Sequence, residues 1–199
     1  MNSPNISNVV ARARALRGGS SDYDLNPQFR PKVAVDLRKA AVLLAFTEHP
    51  GGLRLILTKR SAALRHHPGQ IAFPGGKQDP EDKDLRATAL REAEEEIGLD
   101  RDNVELLATL PPHETVTGFV VTPVIGRVRA NFTPQPEAGE VEEVFSVPYA
   151  FLSEPAHYRV QSRLWQGKRR AYYTIPWGPY YIWGATARML RMLAGGVGS

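Results

Sequence analysis

Glu92, Glu95 and Glu96 stand close together in the run Arg91-Glu92-Ala93-Glu94-Glu95-Glu96-Ile97-Gly98. On a helix these glutamates occupy positions i, i+3 and i+4 and share one face, while Ala89, Leu90, Ala93 and Ile97 share an apolar one. Two local rules are then broken. Like charges at this spacing repel, and two of the carboxylates fall in the last turn, where the helix dipole disfavours negative charge. Each violation costs roughly a few tenths of a kcal/mol to 1 kcal/mol. A solvated acidic face accounts for this, and the three residues taken alone favour it. A divalent cation accounts for it differently, since Mg²⁺ prefers carboxylate oxygens and substrate phosphates and would turn repulsion into coordination. Cysteine is absent, so a thiolate site is excluded and a hard metal on oxygen ligands is not.

The residues just upstream shift the balance towards metal. Phe73-Pro74-Gly75-Gly76 precedes the helix, and glycines there let backbone approach a phosphate or present a carbonyl to a metal. A glycine pair, an acidic spacer and this helix together resemble the Nudix box. Gly76 takes its first place, and Arg91, Glu92, Glu95, Glu96 and Gly98 take the later ones, with Ala93 at the aliphatic place. The spacer is one residue longer than in the box, and no Glu holds the early acidic position. Asp79, Glu81 and Asp82 lie nearby, and Asp82 is the preferred substitute.

What this resemblance implies is an α+β fold, an α/β/α sandwich with a mixed sheet and a loop–helix–loop catalytic box. It implies Mg²⁺ or Mn²⁺ held by Glu92 and Glu96, with a backbone carbonyl near Gly75 as a further ligand. Glu95 is a ligand or the general base, and the two roles stay open. Arg91 positions the carboxylates and the loop by ion pairing. Glu140, ahead of a strand, is a candidate to join the metal or act as base, against simple solvent exposure. The reaction implied is attack of water on one phosphorus of a diphosphate.

A basic stretch precedes the glycines. Lys59, Arg60, Arg65, His66 and His67 offer positive charge to phosphates, and arginine can grip one with two parallel hydrogen bonds. Composition alone would make this a solvated loop. Its pattern, however, resembles the coenzyme A motif of one Nudix branch: Leu57-Thr58, Arg60-Ser61, Arg65, Gly69 and Phe73-Pro74-Gly75-Gly76 match, with Ile56 in place of the first leucine. Thr117-Gly118-Phe119, Thr122-Pro123 and Ile182-Trp183-Gly184-Ala185-Thr186 also look like that branch. The resemblance implies cleavage of coenzyme A or its derivatives to 3′,5′-ADP and 4′-phosphopantetheine, with Arg60, Arg65, Gly69, Phe73 and Gly76 binding substrate. Two alternatives stand beside it. One keeps the chemistry and changes the substrate to ADP-ribose, a nucleotide sugar or a capped RNA end. The other is a non-catalytic nucleotide- or RNA-binding module, which an incomplete glutamate set would favour; here the set is complete.

The elements that must position these residues are legible from periodicity and breakers. Ala40 to Phe46, a turn at 48–52, and the alternating Leu53 to Thr58 predict a β-hairpin. Residues 59–83 predict a long loop, which in a compact domain is usually functional. Leu85 to Ile97 predicts a helix stopped by Gly98. Strands follow near 104–110, 117–128 and 141–147, then a helical turn at 148–152. A hairpin over 157–164 and 169–175 turns at Gln166-Gly167, and a helix closes the chain from Trp183 to Leu193. At the other end, Ser3 and Pro4 begin a short amphipathic helix that Gly18-Gly19-Ser20-Ser21 terminates, with irregular chain over 22–35. The division expected is an arm over 1–35, a catalytic domain over 36–194 and a flexible tail over 195–199.

Bulk properties set outer limits. At 199 residues, 42% hydrophobic and 23% charged, the chain suits one globular domain with an arm. No apolar run approaches a membrane span, so no membrane partner is expected. The net charge of +4 fits an anionic ligand and fits nucleic acid equally well, so it decides nothing alone. The expected partner is a small-molecule diphosphate, with nucleic acid disfavoured and a homodimer contact through the arm an option. Cytoplasmic placement is expected, although the first 21 residues, with arginines and serines but no acid, faintly resemble a mitochondrial transit segment. His113 and Glu114, after Pro111-Pro112 at a strand end, could reach a site, but a plain loop is favoured. Arg169-Arg170 beside Tyr172-Tyr173 reads as a solvated hairpin, and Trp177, Tyr180, Tyr181 and Trp183 read as core or interface aromatics in preference to a base-stacking platform.

Overall fold

Ala41, Leu43 and Ala45 point to one side of the central sheet and Ala40, Leu44 and Phe46 to the other, as the two-residue period of a strand requires. These two faces seed the two halves of the core. The computed structural model describes residues 4–33, 36–165 and 167–195. Along the chain come α1 (Ile6–Ala15), β1 (Ser20–Ser21), β2 (Arg38–His49), β3 (Gly52–Arg60), β4 (Ile71–Ala72), β5 (Gly75–Lys77), α2 (Leu85–Ile97), β6 (Val104–Thr109), β7 (His113–Glu114), β8 (Phe119–Val128) and β9 (Val141–Pro148). Then follow α3 (Tyr149–Leu152), β10 (Arg159–Trp165), β11 (Lys168–Trp177), β12 (Tyr180–Trp183) and α4 (Gly184–Ala194).

Nine strands form one mixed sheet in the order β1-β7-β8-β2-β3-β4, with β5 on β2, β6 on β8 and β9 on β3. The β2–β8 and β1–β7 pairs are parallel and the others antiparallel. Helix α2 covers one face, burying Ala89, Ala93 and Ile97 against Ala41, Leu43 and Ile56. Helices α1, α3 and α4 cover the other, where Val9, Leu152 and Leu190 join Leu44, Phe46 and Leu55. This is the α/β/α sandwich expected from the sequence. A separate antiparallel sheet, β10-β11-β12, leads into α4.

Three expectations need correction. Residues 59–83 are not one continuous loop: β3 runs on to Arg60, and β4 and β5 add short rungs to β3 and β2. Such short strands carry no periodicity, and two of the three residues of β5 are glycine. The cap of α1 is Asn5, whose side chain accepts the Asn8 N–H at 3.0 Å; Pro4 precedes it, and Ser3 lies outside the described residues. Ser20 and Ser21 do more than end that helix. They pair with His113 and Glu114 in the sheet and are buried there. His113 is accordingly no loop residue: it is fully buried, with Ser20 Oγ at 2.9 Å from Nδ1 and Asp22 Oδ1 at 3.2 Å from Nε2. The sequence around it, prolines then a polar pair, gave no apolar signal for burial. Gln166 and all but the first residue of the 195–199 tail lie outside the described residues.

Candidate active site

Helix α2 is fixed at both ends. Asp84 accepts the N–H groups of Arg86 and Ala87, both at 2.9 Å, and Gly98 closes the helix in the left-handed conformation at φ 68°. The terminal carbonyls of Glu96 and Ile97 accept the N–H groups of Glu137 and Gln135 at 2.9 Å each. The small residues Ala89 and Ala93, fully buried, let the helix lie close on β2. Its carboxylate face is thereby held beside the glycine loop, because β5 is itself paired to β2.

Glu96 is the buried member, 4% exposed, and its Oε2 accepts the Gly75 N–H at 3.2 Å. Burial pushes its pKa up to about 7; the Gly75 bond and Arg60 oppose the shift, while Glu92 and Glu140 add to it. Glu92 is also raised, again chiefly by burial. Both glycines are needed for this approach. A Cβ on Gly75 would lie 2.4 Å from the Ala41 carbonyl oxygen, and one on Gly76 would lie 2.5 Å from Oε1 of Glu92.

Arg91 is the hub of the acidic cluster. Its guanidinium reaches Asp82 and Glu92 at 3.0 Å, Glu95 at 2.8 Å and the Lys77 carbonyl at 3.1 Å. Asp82, tied to Arg91 through both oxygens and to Thr88 Oγ1 at 3.0 Å, is drawn down to about 2, first by the Arg91 bond. The residue proposed for the early acidic place is therefore spent on holding Arg91. Glu95 is the outlying carboxylate, its side chain 55% exposed and its Oε2 on Arg91.

Arg60 lies on the same side. Its Nη1 is 3.9 Å from Glu96 Oε1, and its Nε is buried with no hydrogen-bond partner among the described residues. Alternation along β3 would have placed it there, since Ile56 of the same strand faces α2. Arg65 is exposed in the turn after β3. Gly69 adopts φ 68° there and donates its N–H to the Arg60 carbonyl at 3.1 Å. Glu140 is exposed at the entry to β9, where its carbonyl accepts the Ser61 N–H at 2.8 Å. Phe73 is 3% exposed, and its side chain belongs to the core on the α1 and α4 side. An aromatic at a strand end satisfies the core before it is available to a ligand.

Glu92 and Glu96 offer a hard, all-oxygen donor set on one side of a glycine loop, and burial makes each costly to ionise without a cation. Among the described residues no three His, Asp or Glu side chains converge to cage a metal alone.

The NUDIX domain model matches residues 36–167. The chain is 41% identical over 172 residues to the uncharacterized Nudix hydrolase NudL of Pectobacterium atrosepticum, covering 85% of this chain and 87% of the relative. It is 36% identical over 195 residues to the NudL of Klebsiella pneumoniae, covering 98% and 96%. Among solved structures, a Nudix hydrolase of M. smegmatis, RenU, aligns with a TM-score of 0.49 and 26% identity over 56% of this chain and 71% of that one.

Proposed function

The chain belongs to the Nudix family of hydrolases, and on that premise we propose that it splits the diphosphate of coenzyme A or its derivatives into 3′,5′-ADP and 4′-phosphopantetheine, with Mg²⁺ or Mn²⁺ held by Glu92 and Glu96. One observation carries the reading: the carboxylates of buried Glu96 and part-buried Glu92 face the Gly75-Gly76 loop, and the basic stretch that resembles the coenzyme A motif runs directly into that loop, with Arg60 3.9 Å from Glu96.

A diphosphate repels anionic nucleophiles. The bound cation supplies charge neutralisation and lowers the pKa of the attacking water. Glu95 or Glu140 accepts its proton, both being exposed enough to exchange it with solvent. Arg91 orients Glu92 and Glu95 by gripping both, and its own place is fixed by Asp82. Arg60, whose side chain is 27% exposed, offers its guanidinium to a phosphate oxygen beside Glu96.

The test is a panel of coenzyme A, 3′-dephospho-coenzyme A, ADP-ribose, a nucleotide sugar and capped RNA, each with Mg²⁺ or Mn²⁺, with products identified by mass. Coenzyme A should give 3′,5′-ADP with the highest kcat/KM, and EDTA should abolish turnover. Preference for ADP-ribose would overturn the substrate; full turnover in EDTA would overturn the metal.

A further inference from the structure

Behind the strand that bears Arg60 lies a second cleft, of about 600 Å³. Its floor is a rung of paired residues, Ile71 of β4, Lys59 of β3 and Glu143 of β9. This is the α4 side of the sheet: Ile71 belongs to the core beneath α4, and its carbonyl accepts Thr186 Oγ1 at 3.0 Å. Arg163, Tyr180, Tyr181 and Trp183 come from the second sheet to wall it, and His67 closes the rim.

Its chemistry is consistent. The Arg163 guanidinium sits 4.3 Å over the Trp183 ring, which pre-positions it, and it has no carboxylate partner among the described residues. The acids nearby are occupied: Glu142 by Lys59 at 2.6 Å and Glu143 by the Tyr180 hydroxyl at 2.5 Å. Tyr180 stacks on Phe145 at 3.6 Å, so the wall is rigid. Tyr181 is 42% exposed, with its hydroxyl donating to Gln161 at 2.6 Å. Of the aromatics that the sequence read as core or interface residues, Tyr181 is thus open at the surface. The turn after β3 joins the cleft to the glutamates, because Arg60 exchanges backbone hydrogen bonds with Gly69 and Gln70. His67 in that turn is the one described non-glycine residue with positive φ, at 57°. Its pKa is lowered, first by burial and then by Arg60.

We propose that this cleft receives the nucleoside end of the diphosphate substrate, with a 3′-phosphate on Arg163 and the base against Tyr181. A cation without an acid partner beside an exposed ring matches a phosphorylated nucleoside, and a cleft of this size holds one. The inference rests on the diphosphate-hydrolase reading above and names the part of the substrate that the glutamates do not touch.

The experiment titrates the full chain, in EDTA, with adenosine 3′,5′-bisphosphate and with AMP, which differ only in the 3′-phosphate. Wild type should prefer the bisphosphate by about tenfold or more, the yield of one charge-assisted bond. Arg163→Ala should erase that preference, while Arg169→Ala, an exposed neighbour outside the cleft, should keep it. Tyr181→Leu should weaken both nucleotides alike. Equal binding of the two nucleotides by wild type, or equal loss in both arginine variants, overturns the proposal. Hydrolysis assays on the same proteins separate the two readings. Turnover of coenzyme A without any nucleotide preference sinks the cleft alone, and nucleotide preference without coenzyme A turnover sinks the substrate assignment alone.

Discussion

Gly76 and Glu92 compete for one space: a Cβ at position 76 would sit 2.5 Å from Oε1 of the glutamate and 2.6 Å from its carboxyl carbon. The obstructing atoms are the far end of a flexible side chain, so Gly76→Ala should fold and displace the carboxylate. We expect turnover to fall by roughly 10- to 100-fold, as for a ligand moved off its position, with little change in Tm. A loss of Tm that accounts for the lost activity would count against this geometry.

Glu92→Gln and Glu96→Gln should each lower kcat by roughly 100-fold or more, from loss of a metal ligand. Both proteins should stay folded, because removing like charge from a crowded helix face relieves repulsion. Circular dichroism with metal titration checks this; near-normal rates at unchanged metal affinity would contradict the assignment.

Arg60→Ala and Arg65→Ala should differ. Arg60 is part-buried with its Nη1 3.9 Å from Glu96, whereas Arg65 is exposed in the turn. Arg60→Ala should cost about tenfold or more in kcat/KM, the size of one charge-assisted bond. Arg65→Ala should cost less, and steady-state kinetics giving the reverse order would refute the placement.

Asp82→Asn tests the Arg91 anchor through pH. The Asp82 carboxyl ordinarily titrates at 3.8 and is held at about 2 in the fold, so the folded state binds its proton more weakly than the unfolded chain. Its stabilisation is therefore complete above about pH 4 and disappears as pH falls through about 2. The difference in Tm between wild type and variant should be largest near pH 6 and shrink between pH 4 and 2. A difference that stays constant through that window would remove the ion pair as its cause.

Arg12→Ala tests whether α1 is integral. Arg12 donates to the Ala194 carbonyl at 2.8 Å, at the C-terminus of α4, where a cation is favoured. The loss should be about 1 kcal/mol for this part-buried contact, measured by urea unfolding, with kcat unchanged.

The sequence made α2 legible to the residue because its apolar stripe, its acidic face and Gly98 agree, and the sheet's long strands were legible from alternation. The glycine loop's strands were hidden because glycine carries no pattern, and their pairing partners lie far off in the chain. The burial of the Phe73 side chain was hidden for a related reason: a motif position does not state which way a side chain points. Arg60 could have been aimed at Glu96 by counting along β3 from Ile56. The cleft at Arg163 could not, since it needs two sheets brought together by α4, and no local spacing records that.

Ser20 and His113 are joined across 93 positions of chain. Closing so long a loop costs entropy that a two-residue ladder returns only once β8 is already in place to receive β7. The edge strand should therefore dock late in refolding, and its hydrogen bonds should exchange with deuterium by local opening sooner than those of β2. The N-terminal helix, which packs on β6 and α4, would then be the last large element to gain protection.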